Sequence, residues 1–186
     1  MKRGKVRTAL LLVFCAVTTA SLAVGTTFAQ TKDNGKFGST IAGEVRHQLV
    51  TIPYLSVFDN LEYSVNGSVV TLTGQVRLDA VKRDAENGVK SIPGVTQVVN
   101  NIEVLPASPM DDQIRRAVYR AIYGYGPLQR YAEGVLQPIR IVVKQGHVTL
   151  EGVVANEADR NLAYMRANGV PNVFSVTNHL QLERPS

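Results

Sequence analysis

The chain has few of the residues that build reactive or cross-linked sites. It contains one cysteine, Cys15, no tryptophan and three histidines among 186 residues. A lone cysteine cannot close an internal disulfide, so packing has to hold the fold together. The histidines, His47, His147 and His179, lack metal-type spacing, and there is neither a nucleophile elbow nor a phosphate-binding glycine loop. We therefore expect no enzyme activity, no metal and no cofactor.

The first segment of the chain is basic and then apolar, with no acidic residue. Four basic residues within 1–7 precede an apolar stretch over 9–24, and Thr27-Phe28-Ala29 has the small residues of a cleavage site. This pattern predicts a signal peptide over 1–29, cut after Ala29, and a protein that is exported to the periplasm and stays free or peripheral on the membrane. The alternative is an uncleaved N-terminal anchor, because the two kinds of segment overlap in composition.

Loss of residues 1–29 changes the charge of the protein. The whole chain has 20 basic and 15 acidic residues and a net charge of +5, but four of the basic residues and none of the acidic ones lie in 1–29. The remainder therefore carries 16 basic and 15 acidic residues. Nucleic-acid binding needs a basic surface, so this near balance argues against a nucleic-acid partner.

An internal repeat sets the architecture. The segment Val70–Gly74 (VTLTG) matches Val148–Gly152 (VTLEG) at an offset of 78 residues, and the same offset places Asn100 on Asn178. The register holds over most of each copy apart from a slip of one residue at a turn. Two copies of one small module therefore make up nearly all of the exported chain.

Each copy reads as helix, strand, strand, helix and strand. Four-residue spacing of apolar positions from Ile41 to Leu49 predicts the first helix, and alternation on both sides of Asn66-Gly67 predicts a hairpin. The predicted fold is α+β, with two tandem α-β-β-α-β modules that each pack two helices on a small three-stranded sheet. The predicted boundaries are a disordered polar segment at 30–38, a first module at 39–105 and a second at 108–186.

Several of these motifs together are similar to the BON domain. They are Asn66-Gly67, the strand Val70–Val76, Pro93-Gly94-Val95 and, in the second copy, Gly146–Val154. The resemblance implies an exported, non-enzymatic protein of the bacterial envelope, linked to osmotic or envelope stress and to association with phospholipid. The second copy departs from the pattern in two ways. It has Asn172 where glycine is usual, which is tolerable because asparagine also adopts positive φ, and it has extra residues around 123–138.

Four glycines that match between the copies are expected to be structural. Gly74 and Gly152 lie inside strands, where glycine usually marks a bulge or the close approach of another backbone. Gly67 and Gly146 lie in the two hairpin turns.

The candidate binding surface is on the first helix of the second copy and the residues after it. Arginine and tyrosine lie opposite the apolar stripe of that helix, a combination that suits a lipid interface. We call the following residues the Arg/Tyr face: Arg115, Arg116, Tyr119, Arg120, Tyr123, Tyr125, Arg130 and Tyr131. The alternative is that the tyrosines pack against the first module or the inserted residues.

These features favour an envelope protein that binds an anionic phospholipid surface or an envelope protein and supports envelope integrity or tolerance of osmotic stress. The alternative is a chaperone-like or structural periplasmic protein without direct lipid binding. No nucleic acid and no small-molecule substrate are expected. The pattern leaves open the identity of the lipid or partner and the oligomeric state.

Overall fold

A computed structural model of the protein describes residues 36–133 and 137–183, with side chains from Thr40 onward. The expected signal peptide lies outside these ranges. The first helix begins at Lys36, so the last three residues of the segment 30–38 are helical and not disordered as expected. No helix in the described part of the chain is long and apolar enough to cross a membrane.

The two modules repeat one order of elements. The first module comprises α1 (Lys36–Val50), β1 (Asn60–Asn66), β2 (Val69–Val76), α2 (Asp79–Lys90), β3 (Gln97–Asn100) and β4 (Glu103–Val104). The second comprises α3 (Pro109–Tyr123), a 3-10 helix (Gly126–Tyr131), β5 (Ile139–Lys144), β6 (His147–Val154), α4 (Glu157–Asn168), β7 (Ser175–Asn178) and β8 (Gln181–Leu182). The 3-10 helix falls within the extra residues of the second copy.

Each sheet is mixed, with the second hairpin strand at its centre. Strand β2 pairs antiparallel with β1 and parallel with β3 and β4. Strand β6 pairs in the same way with β5, β7 and β8. Helices α2 and α4 supply the crossover that a parallel pair requires. The predicted α+β fold, with two modules of helices on a small sheet, is confirmed.

The last strand of each module is interrupted where a single strand was predicted. Asn100 lies at the break: its Nδ2 donates to the carbonyl of Lys82 in α2 at 3.3 Å, and its Oδ1 accepts the amide of Ile102 at 3.1 Å. Asn178 makes the equivalent two bonds in the second module. The third position of each sheet is therefore shared by two short strands, and the matching asparagines tie the break to the helix above it.

Each module buries a core between its sheet and its helices. The predicted stripe Ile41, Val45 and Leu49 of α1 is buried, as are the inward positions of β2. Such burial of aliphatic side chains is the main favourable contribution to folding in a chain without disulfides. The largest fully buried side chains are Leu72, Ile102, Ile122, Leu128, Ile139, Ile141 and Leu150.

The two modules pack against each other through the segment that precedes β1. Val57 of the first module is buried in the core of the second, and its carbonyl accepts the amide of Ile141 on β5 at 2.9 Å. Phe58 packs edge-on against Tyr119 of α3, with 6.2 Å between ring centres. Two ion pairs cross the rim of the interface, Lys144 with Glu103 and Arg77 with Asp112.

The in-strand glycines face the backbone of the neighbouring strand. Gly74 has a φ of 111° and Gly152 a φ of 117°, which other residues rarely adopt. A Cβ at Gly74 would overlap the carbonyl oxygen of Asn60, and one at Gly152 would overlap that of Pro138. This geometry is a physical reason for glycine at both positions. The turn residues Gly67 and Gly146 also have positive φ, as does Asn172, the replacement for the usual glycine.

Candidate functional site

The first arginine of the Arg/Tyr face is buried. Arg115 is 3% exposed, and its Nη1 donates to Asp112 at 2.7 Å while its Nη2 donates to the carbonyl of Val143 at 2.6 Å. A buried guanidinium with these two partners holds α3 against β5, and breaking such an arrangement is costly. Arg115 is therefore not presented to a membrane, which corrects the sequence-based expectation.

Tyr123 is also interior. It is 4% exposed, and its hydroxyl donates to the carbonyl of Ile139 at 2.6 Å and accepts the amide of the same residue at 3.2 Å. Burial raises the pKa of Tyr123 well above the usual tyrosine range. The hydroxyl satisfies both backbone groups at the start of β5, so this tyrosine is a packing residue.

Tyr131 and Arg130 fix the 3-10 helix to the start of α4. The Tyr131 hydroxyl donates to Asp159 at 2.5 Å and accepts the amide of Ala155 at 2.9 Å. Arg130 forms an ion pair with the same carboxylate, although half of its side chain remains exposed. Both residues are held by contacts inside the module, and Tyr131 is buried.

Tyr119 lies at the boundary between the modules. It is partly buried, packs against Phe58 of the first module and lies 4.9 Å from the ring of Tyr123. The alternative expectation, that the tyrosines pack against the first module or the inserted residues, describes Tyr119, whereas Tyr123 and Tyr131 bond to other residues of the second module.

Besides Arg130, the exposed residues of the Arg/Tyr face are Arg116, Arg120 and Tyr125. Neither Arg116 nor Arg120 forms an ion pair with an acidic side chain in the described residues. Tyr125 is 37% exposed and lies beneath the guanidinium of Arg166, which is 4.6 Å from its ring centre. These three residues lie on one side of the second module.

Helix α4 adds residues to this side. Arg166 is exposed and its Nε donates to the carbonyl of Ala121 at 3.0 Å, while Met165 is 59% exposed. Two shallow grooves adjoin at Arg120. One lies between α3 and the turn at Pro171 and includes Met110, and the other lies between α3 and α4 and includes Met165 and Arg166. We call the following set the basic helical face: Met110, Arg116, Arg120, Tyr125, Met165 and Arg166.

Two of the three histidines have side-chain hydrogen-bond partners. The Nδ1 of His147 lies 2.7 Å from Ser175 Oγ, and that of His179 lies 2.6 Å from Glu151. No group of three metal-ligating side chains occurs among residues 36–133 and 137–183. Burial raises the pKa of the Glu151 carboxyl, whose side chain is 13% exposed, and the nearby Glu62 of the first module raises it further, against the lowering effect of His179.

A cleft of about 460 Å³ lies between the modules. Its walls are mostly apolar. One wall comes from α1, β1 and the segment between them, and the other comes from the start of β5 and the end of β6. They include Val50, Leu55, Leu61, Tyr63, Pro138 and Val153. Arg46 and Arg140 also line the cleft, one from each module. Burial lowers the pKa of Arg140, whose Nη1 donates to the carbonyl of Ser56 at 3.1 Å.

A comparison with protein families matches the BON domain twice, at residues 38–106 and 111–184. The chain belongs to the BON family. The two matched segments coincide with the two repeated modules, so this is a tandem pair of BON domains. BON domains are in general binding domains without catalytic activity, and no catalytic family was detected.

Solved structures that resemble this BON protein include two from Chlamydia trachomatis. One is the C-terminal domain of CdsD, a structural protein of the type III secretion system, with 12% identity, a TM-score of 0.32 and coverage of 77% of this chain and 98% of that one. A second CdsD structure gives 11% identity, a TM-score of 0.33 and coverage of 79% and 94%. No curated protein matched the chain.

Sequence reasoning missed the contribution of α4 in the second BON module to the basic helical face. The sequence contains a signal for this, because Met165 and Arg166 lie between Ala163 and Ala167, two small residues at helical spacing. Both alanines are buried in the structure. Small buried residues let α4 approach the sheet closely, which leaves the large intervening side chains on the surface. The cleft was missed as well, because its walls come from segments of both modules that are distant in the sequence.

Proposed function

We propose that this BON protein is a non-catalytic envelope protein that binds anionic membrane surfaces through the basic helical face of its second module. The observation that supports this most directly is the combination of exposed arginines with exposed methionines on adjoining helices. Arg116, Arg120 and Arg166 are exposed, and Met110 and Met165 are 52% and 59% exposed beside them. Exposed apolar side chains with cationic neighbours suit the boundary between the lipid headgroups and the acyl chains of a membrane.

The charge distribution supports a local and reversible contact. Residues 30–105 carry 7 basic and 8 acidic residues, whereas residues 106–186 carry 9 and 7. An almost neutral protein is not drawn to a membrane as a whole, so binding depends on the few arginines of one face. Each basic residue near an anionic surface contributes about 1 kcal/mol, and salt screens the attraction within a distance of roughly 10 Å.

The place of action follows from the proposed export of the chain. A protein with a signal peptide cleaved after Ala29 reaches the envelope, where anionic phospholipid surfaces are present. A role in envelope integrity under osmotic stress is the physiological form of this proposal. Its basis is the basic, apolar N-terminal segment together with membership of the BON family.

Vesicle co-sedimentation of the purified protein tests the proposal. Binding should be stronger to vesicles with anionic lipid than to neutral ones, and should weaken as salt rises. The double variant Arg116→Gln/Arg120→Gln should lose about 2 kcal/mol of binding free energy, roughly 30-fold in affinity. Arg166 is left in place because it also contacts Ala121 and Tyr125.

The matched control removes two exposed cations from the first module. Arg83→Gln/Lys90→Gln changes the net charge equally, at residues that lie on α2 and pair with acidic neighbours. It should bind vesicles almost as the wild type does. Equal losses in the two double variants would point to a general charge effect, and unchanged binding of Arg116→Gln/Arg120→Gln would exclude the basic helical face.

A further inference from the structure

The cleft between the two modules has the size and lining of a small-ligand site. Its volume of about 460 Å³ is within the usual range for such sites, roughly 300–1,000 Å³. Leucine, valine, tyrosine and proline side chains make up most of the wall. A mostly apolar cavity that also has the charged side chains of Arg46, Asp59 and Arg140 in its lining favours a ligand with a long apolar part and a charged end.

Arg140 is the side chain in the cleft that most needs a partner. Four arginines in the described residues are buried or half-buried: Arg77, Arg115, Arg140 and Arg160. The other three form ion pairs with aspartate or glutamate, whereas Arg140 donates only to the backbone carbonyl of Ser56. A half-buried guanidinium has further donors arranged for a planar anion, which carboxylates match in a bidentate manner.

The other charges in the cleft leave this position attractive to an anion. Arg46 is exposed on α1 and forms no ion pair in the described residues. Asp59 is the acidic residue in the lining, and its carboxylate already accepts bonds from the amide and hydroxyl of Ser56 at 2.9 and 2.6 Å and from the amide of Arg77 at 2.7 Å. Asp59 attracts Arg140 through space, but its charge is partly balanced by these donors, and two arginines line the same cleft.

We propose that the cleft binds one single-chain fatty acid, with its carboxylate held by Arg140 and Arg46 and its hydrocarbon chain along the apolar wall. The volume favours one chain over the two of a phospholipid. The site joins the modules, since Arg46 and the α1 wall belong to the first module and Arg140, Pro138 and Val153 to the second. It is separate from the basic helical face and does not depend on membrane binding.

Isothermal titration of the purified protein with dodecanoate, kept below its micelle concentration, tests this proposal. We expect saturable binding of one dodecanoate per chain, and weaker binding of dodecanol, which has the same hydrocarbon chain without the charge. Arg140→Gln should weaken dodecanoate binding by about tenfold or more, as expected for loss of a charge-assisted hydrogen bond. It should leave dodecanol binding nearly unchanged, so the preference for the acid disappears.

Arg46→Gln gives a second test that does not depend on a buried group. Arg46 is exposed, so the variant should fold as the wild type does and still bind dodecanoate less tightly. Arg83→Gln is the matched control on α2 and should bind normally, as should Arg116→Gln/Arg120→Gln, which separates this site from the proposed membrane surface. Absence of saturable binding, equal affinity for acid and alcohol, or an unchanged preference in both cleft variants would overturn the proposal.

Discussion

The carbonyl of Val57 accepts the amide of Ile141, and the Val57 side chain is buried among residues of the second module. One residue of the first module thus completes both the edge of β5 and the core beneath it. The aromatic contact between Phe58 and Tyr119 extends this join onto α3. The tandem modules therefore behave as one packed body in which a change near residue 57 affects the neighbouring module.

Replacement of Val57 should reveal this coupling. Val57→Ala removes two buried methyl groups and should lower the free energy of unfolding by about 1–3 kcal/mol. Hydrogen exchange should accelerate in β5 and β6, although the substitution lies in the first module. Val104→Ala makes the same change at an exposed side chain and should have little effect. Exchange that accelerates only in β1 and β2 would mean that the modules are not coupled through Val57.

The in-strand glycines should resist substitution by alanine. Gly74→Ala and Gly152→Ala place a Cβ against a carbonyl oxygen at positive φ and should each cost about 1–3 kcal/mol or more. Gly43→Ala is the control, since Gly43 lies in α1 with open space around it and should tolerate or gain from alanine by about 0.5–1 kcal/mol. Denaturant midpoints of the three variants decide the matter, and wild-type midpoints at 74 and 152 would contradict this account.

Tyr123 and Tyr125 should respond in opposite ways to loss of the hydroxyl. Tyr123→Phe leaves both backbone groups of Ile139 without their buried partner and should cost about 1–3 kcal/mol. Tyr125→Phe acts at an exposed side chain and should change stability by less than about 0.5 kcal/mol. Thermal or denaturant unfolding measures both. A Tyr123→Phe variant that is as stable as the wild type but binds vesicles less well would contradict this account and indicate that Tyr123 contacts the membrane.

The sequence predicts the helices, hairpins and cores well because one periodic signal reports each of them. The repeat at an offset of 78 and the stripe from Ile41 to Leu49 both concern contacts within a module. The exposure of Tyr119 and Tyr123 depends instead on contacts that the apolar stripe of α3 does not report. Phe58 of the first module covers Tyr119, whereas the Tyr123 hydroxyl bonds to the backbone of Ile139 in its own module. Periodicity locates the apolar side of a helix, and it carries no information about a neighbouring module or about the hydrogen bond of a single hydroxyl.

The sequence predicts only part of the interruption in the last strand of each module. The match of Asn100 with Asn178 is visible in the sequence, but alternation of apolar residues continues through it to Ile102. The structure shows that the asparagine side chain accepts the amide two residues later, which competes with the ladder bonds of a strand. Side-chain bonds of this kind leave no hydrophobic pattern.

Glu151 should make stability depend on pH. Its folded-state pKa is raised, mainly by burial, so the protonated form favours folding. This contribution is complete below the ordinary glutamate pKa and is lost as pH rises through the raised value. Glu151→Gln should therefore match the wild type near pH 4 and be more stable than it near pH 8. Denaturant midpoints at both values test this, with the exposed Glu133→Gln as control. A variant that is less stable at the higher pH would show that the contact with His179 outweighs burial.

The asparagine breaks have a consequence for the behaviour of the protein in a crowded compartment. On the side of the central strand away from its hairpin partner, each sheet ends in strands of four and two residues separated by the break at Asn100 or Asn178. A long unpaired strand edge is a template for another chain, and edge-to-edge pairing leads to aggregation. Among the described residues, no strand at these two edges is longer than four residues, so a second copy finds too short a ladder to extend the sheet there. The asparagine side chains that anchor each last strand to its helix therefore also make these two edges poor templates for pairing with another chain.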